Sequence, residues 1–185
     1  LNCGRGVVIP KDDAGALRPI VVGGVILRLC AALSLELSTS LTDSYFMGGT
    51  AKQFGVGTNS GCTLMAAAVE ERLRQGGDGS VVISIDLKNA FRIAHLCGRS
   101  SNVISLAKNN VGSRQGCGFG SFLFCLALQP ILEQLQREFP DVLVVSYCDD
   151  VNIVGQASLV AKAYRRYGVL VNSLLQSQIR PDKTV

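Results

Sequence analysis

Residues 142–154 contain two apolar runs, Val142 to Ser146 and Val151 to Val154, separated only by Tyr147-Cys148-Asp149-Asp150. Runs this short and this rich in β-branched residues form strands, and so small a separation closes them into a hairpin around a tight acidic turn. That turn constrains the fold more than any other feature, because an ionised carboxylate beside a core is unfavourable unless it is paired or binds a cation. A second carboxylate poses the same problem. Val81-Val82-Ile83-Ser84-Ile85-Asp86-Leu87 is a nearly all-apolar run bounded by Gly79 and by Lys88-Asn89, and it reads as a buried strand with Asp86 at its end.

Taken alone, each acidic site could be a solvated turn. Taken together they suggest a shared role. If the strand ending at Asp86 pairs beside the acidic hairpin, directly opposed residues lie about 5 Å apart, and carboxylates that close repel unless a cation lies between them. Two-metal phosphoryl-transfer sites use such carboxylates, with ions about 3.5–4 Å apart. Magnesium, a hard cation commonly held by one or two carboxylates plus substrate phosphates, is the natural candidate, and manganese can replace it.

The remaining chain reads as helices and turns. Gly6 to Pro10 and Leu17 to Ile20 form a hairpin around Lys11-Asp12-Asp13-Ala14-Gly15. From Val25 to about Leu41, Ile26, Leu29, Leu33 and Leu37 recur at helical spacing. The apolar stretch Pro19 to Leu37 carries Arg28 and Glu36, so it reads as a core helix and not as a membrane span. A Gly-rich link from Gly48 to Gly57 precedes a helix that Thr58, Asn59 or Ser60 caps and Gly76-Gly77 stops. Ser121 to Phe139 is a helix that Pro130 kinks or splits, and a last helix runs from Ser158 to Leu175.

Composition narrows the class. The 185 residues carry a formal charge of +4, which permits a polyanionic partner without requiring one. The seven cysteines include no Cys-x-x-Cys pair, which points to a reducing, intracellular setting (nuclear or cytoplasmic) and not to secretion. The single His95 excludes a multi-histidine metal site.

Five elements carry a family resemblance. Tyr147-Cys148-Asp149-Asp150 resembles the Tyr-x-Asp-Asp turn of reverse transcriptases, and Asp86 with Phe91 five positions later resembles the preceding acidic motif. Gly112-Ser113-Arg114-Gln115-Gly116, followed by Ser121-Phe122-Leu123-Phe124, is similar to the intervening Gly-x-x-Gln-Gly segment and its helix. Arg18-Pro19-Ile20 resembles an element of the fingers, and Pro181-Asp182-Lys183-Thr184 resembles the lysine motif after the acidic turn. The elements occur in the family's order, and the wording is most similar to non-LTR retrotransposon enzymes.

The resemblance implies an RNA-directed DNA polymerase with an α+β fold: a palm with an antiparallel sheet and packed helices, plus a partial fingers lobe. Residues 1–80 would supply the fingers and connecting helices, and 81–185 the palm. It implies that Asp86 and Asp149 hold two Mg²⁺ ions and that Asp150 supports one. Arg18 would contact the incoming deoxynucleoside triphosphate, while Gln115, Gly116 and Tyr147 would pack around the nucleotide and templating base. Phe91 would exclude a 2′-hydroxyl, and Lys183 would act as general acid toward pyrophosphate. Arg18 can equally be a surface arginine, Gly116 a plain tight turn and Phe91 a core ring.

RNA template and DNA primer would be gripped through phosphates by basic side chains such as Lys52, Arg72, Arg74, Arg165 and Arg166. No membrane contact is expected, and the rest of a larger retroelement protein is an expected partner. Departures from the pattern are Cys117-Gly118 where Asp-Pro is common, a short span between 92 and 112, and no thumb after Lys183. They keep alternatives open: an inactive relic or nucleic-acid-binding pseudoenzyme, an RNA-dependent RNA polymerase-like palm, or a scaffold in which Asp86 lies far from Asp149.

Overall fold

In the computed structural model, residues 5–10, 17–87 and 116–185 are described. The hairpin formed by β1 (Arg5–Pro10) and β2 (Leu17–Val22) pairs antiparallel from Arg5↔Val22 to Pro10↔Leu17. After it come α1 (Val25–Leu37) and α2 (Thr39–Met47), then β3 (Lys52–Gln53), α3 (Gly61–Gly76) and β4 (Ser80–Ile85). The second half contains α4 (Gly120–Glu138), β5 (Leu143–Tyr147), β6 (Asp150–Gln156) and α5 (Ala157–Leu175), with a single 3-10 turn at Pro181–Lys183.

Four strands form the central sheet in the order β3-β5-β6-β4. The β5/β6 and β6/β4 pairs are antiparallel, as expected for a palm, whereas β3 joins β5 in parallel through Lys52↔Val145 and Gln53↔Ser146. The sheet is therefore mixed. Its partners lie on both sides of residue 80, since α3 packs on β4, β5 and β6.

Strand alternation sorts the side chains of this sheet. Val144, Val151, Ile153 and Ile85 enter the main core with Phe124, Leu128, Ile131, Leu132 and Leu135 of α4 and Val160, Ala163, Tyr167 and Leu170 of α5. The alternate positions of β4 and β6, among them Val82, Ser84 and Asn152, face α3. Helix α4 runs unbroken through Pro130, although a proline inside a helix costs about 3 kcal/mol or more. Five large apolar side chains of α4 are fully or almost fully buried, and each contributes about 1.5–3 kcal/mol, which outweighs that cost.

Three sequence expectations are corrected. The helix starting at Val25 ends at Leu37, and α2 continues at an angle of 64°, so the pair is bent at Ser38. Nor is α1 a core helix: Ala31 is buried, while Val25, Ile26, Leu29, Leu33 and Leu37 are exposed. Periodicity located its apolar residues, but burial depends on what the rest of the chain lays against them. Finally, β4 is the outermost ladder strand and only half-buried, because one side of an edge strand lacks a sheet neighbour. Among the described residues no single helix is long and apolar enough to cross a membrane.

Candidate functional site

The antiparallel register between β4 and β6 brings two of the expected acids together. Ile85 pairs with Val151, so one further step along the ladder sets Asp86 opposite Asp150. Both residues line a groove of about 500 Å³ between α3 and the sheet. The Asp150 carboxyl is held above its ordinary pKa, first by burial and then by the charge of Asp86. The groove also contains Glu70, Ser84, Asn152 and Lys183 around an apolar wall made by Met65, Val69, Leu73 and Val82.

Asp149 occupies a different place. It sits in the two-residue turn between Tyr147 and Asp150, which are the last paired residues of the hairpin. Its charge acts on Cys125, Cys148 and Tyr167, groups from α4, the turn and α5. Burial, followed by Asp149, raises the Tyr167 phenol well above its usual range. A hydrogen bond with Cys148, and then burial, raise the Cys125 thiol, and the same bond lowers Cys148. Among the described residues no group of three or more His, Cys, Asp or Glu side chains converges to hold a metal. The register thus sets Asp86 opposite Asp150, with Asp149 in the adjoining turn.

Sequence reasoning missed the residues that hold the turn. Cys148 has φ 53°, in the left-handed region that non-glycine residues rarely adopt. Gln53, fully buried on β3, clamps it: Cys148 N–H donates to Gln53 Oε1 at 3.0 Å, and Gln53 Nε2 donates to the Cys148 carbonyl at 3.3 Å. Gly55 N–H donates to the same Oε1 at 3.1 Å, and a side chain at Gly55 would collide with Cys148 N and Sγ. The segment before β3 is fixed by α4, where Glu133 accepts from Thr50 N–H and Ala51 N–H, and Gln129 donates to the Ala51 carbonyl. A glutamine inside a Gly-rich link carried no sequence signal for this role.

Arg180 is the other missed residue. Its Nε lies 3.8 Å from Asp86 Oδ2, and its backbone N–H donates to the Asp86 carbonyl at 2.9 Å. Its Nη2 bonds Asp182 at 2.8 Å. The terminal segment runs along β4, with a bridge between Leu87 and Ile179 and a reciprocal pair of backbone bonds between Ser84 and Val185. This path carries Lys183 to the groove, on the same 3-10 turn as Asp182.

The other expected residues fall as follows. Arg18 lies on β2 opposite Ile9, and its side chain is outside the described residues. Phe91, His95 and Gln115 are outside them too. Gly116 has φ 95°, a turn conformation suited to glycine, and Gly118 abuts Ala31 so closely that a Cβ there would lie 2.7 Å from the Ala31 Cβ. Tyr147 is half-buried and pairs with Asp150, so both point to the same face of the hairpin.

Several proposed phosphate-gripping side chains have internal partners. Lys52 bonds the Met47 and Gly49 carbonyls, and Arg72 bonds the Asp141 carbonyl. Arg74 pairs with Glu70 and Glu71, and Arg166 with Glu138, whereas Arg165 is exposed. The cysteines at 30, 62, 117, 125 and 148 are free thiols.

The residues that could hold a magnesium-type ion are Asp86 and Asp150. Both line an open groove, the ionised form of Asp150 is disfavoured first by burial and then by Asp86, and the Arg180 guanidinium stands 3.8 Å from Asp86. Such ions are commonly held by one or two carboxylates, with substrate phosphates completing the shell.

No family model matches the sequence, and no curated protein does. Two solved structures are similar in fold. An apo telomerase from Candida tropicalis, truncated from its C-terminal domain, superposes with a TM-score of 0.59 at 15% identity, covering 98% of this chain and 49% of that one. Telomerase from Candida albicans, in complex with a TWJ fragment of telomeric RNA, gives a TM-score of 0.64 at 15% identity, covering 100% of this chain and 41% of that one. The chain spans less than half the length of either, and it has a reverse-transcriptase-like fold.

Proposed function

We propose that this chain is a reverse-transcriptase-type palm and partial fingers that joins deoxynucleotides to a DNA primer on an RNA template. The observation that carries the reading is the placement of Asp86 opposite Asp150, on the groove that also takes Lys183, within a reverse-transcriptase-like fold. Asp86 and Asp150 would hold a divalent ion, magnesium or manganese, and Asp149 would be the third acid of the motif. The bound ion supplies charge neutralisation for phosphoryl transfer. Lys183 would stand beside the phosphates as the proton donor, and Tyr147 would flank the nucleotide. That one similar structure contains telomeric RNA supports an RNA partner. The non-LTR retroelement setting rests on motif wording alone.

The test is extension of a DNA primer on an RNA template by the 185-residue chain with Mg²⁺, comparing deoxynucleotides with ribonucleotides. Metal-dependent incorporation of deoxynucleotides that Asp86→Asn and Asp150→Asn both abolish supports the reading. Preference for ribonucleotides would move it to the RNA-polymerase alternative.

A second reading is a nucleic-acid-binding form of the fold without catalysis. Arg180 against Asp86 favours it, since an internal cation already balances one of the acids. Binding of a primed template without extension in any divalent metal would select this reading.

A further inference from the structure

The terminal segment is more than an edge cover for β4. Residue 180 is held at three points: its N–H bonds the Asp86 carbonyl, its own carbonyl accepts from Lys183 N–H and Thr184 N–H, and its guanidinium bonds Asp182. The flanking contacts, Ile179 to Leu87 and Val185 to Ser84, hold this path in register with β4. The backbone of Arg180 is therefore fixed beside Asp86, and the bond to Asp182 restrains its guanidinium. The two side chains are 25% and 29% exposed, so the pair is neither sealed in the core nor free in solvent.

We propose that Arg180 is the resident counter-ion of the acidic groove and sets how tightly the groove takes a divalent cation. This rests on the reading that Asp86 and Asp150 hold such an ion. With the groove empty, two facing carboxylates repel, and a fixed positive charge beside one of them relieves that repulsion. When a divalent ion enters, the same charge opposes it. At a separation of about 6 Å and a dielectric close to that of bulk water, one unit charge changes the affinity for a doubly charged ion by roughly tenfold. Asp182 moderates the effect because it shares the guanidinium at 2.8 Å. Arg180 is thus a positioning residue whose fixed charge stands beside Asp86 and offsets part of the acidic charge that an entering ion meets.

The experiment is a Mn²⁺ titration of the isolated chain without nucleotide or nucleic acid, followed by electron paramagnetic resonance of free Mn²⁺. Arg180→Gln is expected to bind about five times more tightly than the unmodified chain, and Arg180→Lys, which keeps the charge, to match it. Asp182→Asn, an exposed substitution with little bearing on folding, releases the guanidinium to Asp86 and should weaken binding about threefold. Equal Mn²⁺ affinity in all three variants, with loss only in Asp150→Asn, overturns the role of Arg180 and leaves the metal site standing. Weaker binding in Arg180→Gln, or tighter binding in Asp182→Asn, overturns it as well. Absence of Mn²⁺ binding in every chain removes the metal-site reading and this inference together.

Discussion

The side-chain amide of Gln53 brackets the backbone of Cys148, accepting its N–H at 3.0 Å and donating to its carbonyl at 3.3 Å. A two-residue strand, joined in parallel to the edge of an antiparallel hairpin, thereby holds the one turn that presents the acidic pair in a backbone conformation with φ 53°.

Gln53→Leu is expected to destabilise the fold by about 2 kcal/mol, because it leaves the Cys148 N–H, the Cys148 carbonyl and the Gly55 N–H without their partner in a partly buried setting. Urea unfolding measures this. A loss below about 0.5 kcal/mol would mean that the clamp is replaceable by solvent.

The raised pKa of Asp150 has a defined sign in stability. The native state binds the proton more tightly than the unfolded chain, so stability falls as pH rises through the interval from about 4 to the raised value, and stays lower above it. In the presence of a chelator, Asp150→Asn should therefore be more stable than the unmodified chain at pH 7, and the advantage should vanish near pH 3. Urea midpoints across that range decide it, and no difference at pH 7 would contradict the burial and Asp86 repulsion at this carboxyl.

Glu138 behaves in the opposite sense. Its hydrogen bonds with Arg166 at 2.6 and 2.8 Å, and then one from Gln134, hold its carboxyl at about 2. The stability this contributes is present above the ordinary carboxylate range and is lost as pH falls from about 4 toward 2. Glu138→Gln should flatten that acid limb, with a loss at neutral pH of no more than about 1 kcal/mol, because the pair is about a third exposed.

Tyr167 is fully buried, and its hydroxyl has no hydrogen-bond partner among the described residues. Tyr167→Phe keeps the ring and removes a desolvated polar atom. It should raise stability by about 1 kcal/mol, read as a higher urea midpoint at unchanged slope. A loss instead would indicate that the hydroxyl supports Asp149.

Much of this architecture was legible locally. The acidic hairpin falls where two β-branched runs and a two-residue turn require it, and α5 begins within one residue of its expected start. Helix α3 stops at Gly76, with Gly77 at φ 64°. Those elements depend on short-range periodicity and turn chemistry, which a single sequence contains. What failed depended on distant neighbours. The Leu29 and Leu33 stripe reads as core and is exposed, Pro130 reads as a kink or a split and lies within one helix held by burial, and β3 is hidden in a Gly-rich link because two residues show no period at all.

The sequence by itself determined which residues could make strands, where the acidic turn would lie and that Asp86 ended a second strand. Only the tertiary structure decided which acids meet. An antiparallel ladder alternates faces at every residue, so a shift of one position would exchange Asp150 for its neighbour, and that register is set by the packing of β4, β6 and α3. The same is true of Arg180, whose charge reaches Asp86 because the terminal segment pairs along β4, a contact between residues almost a hundred positions apart.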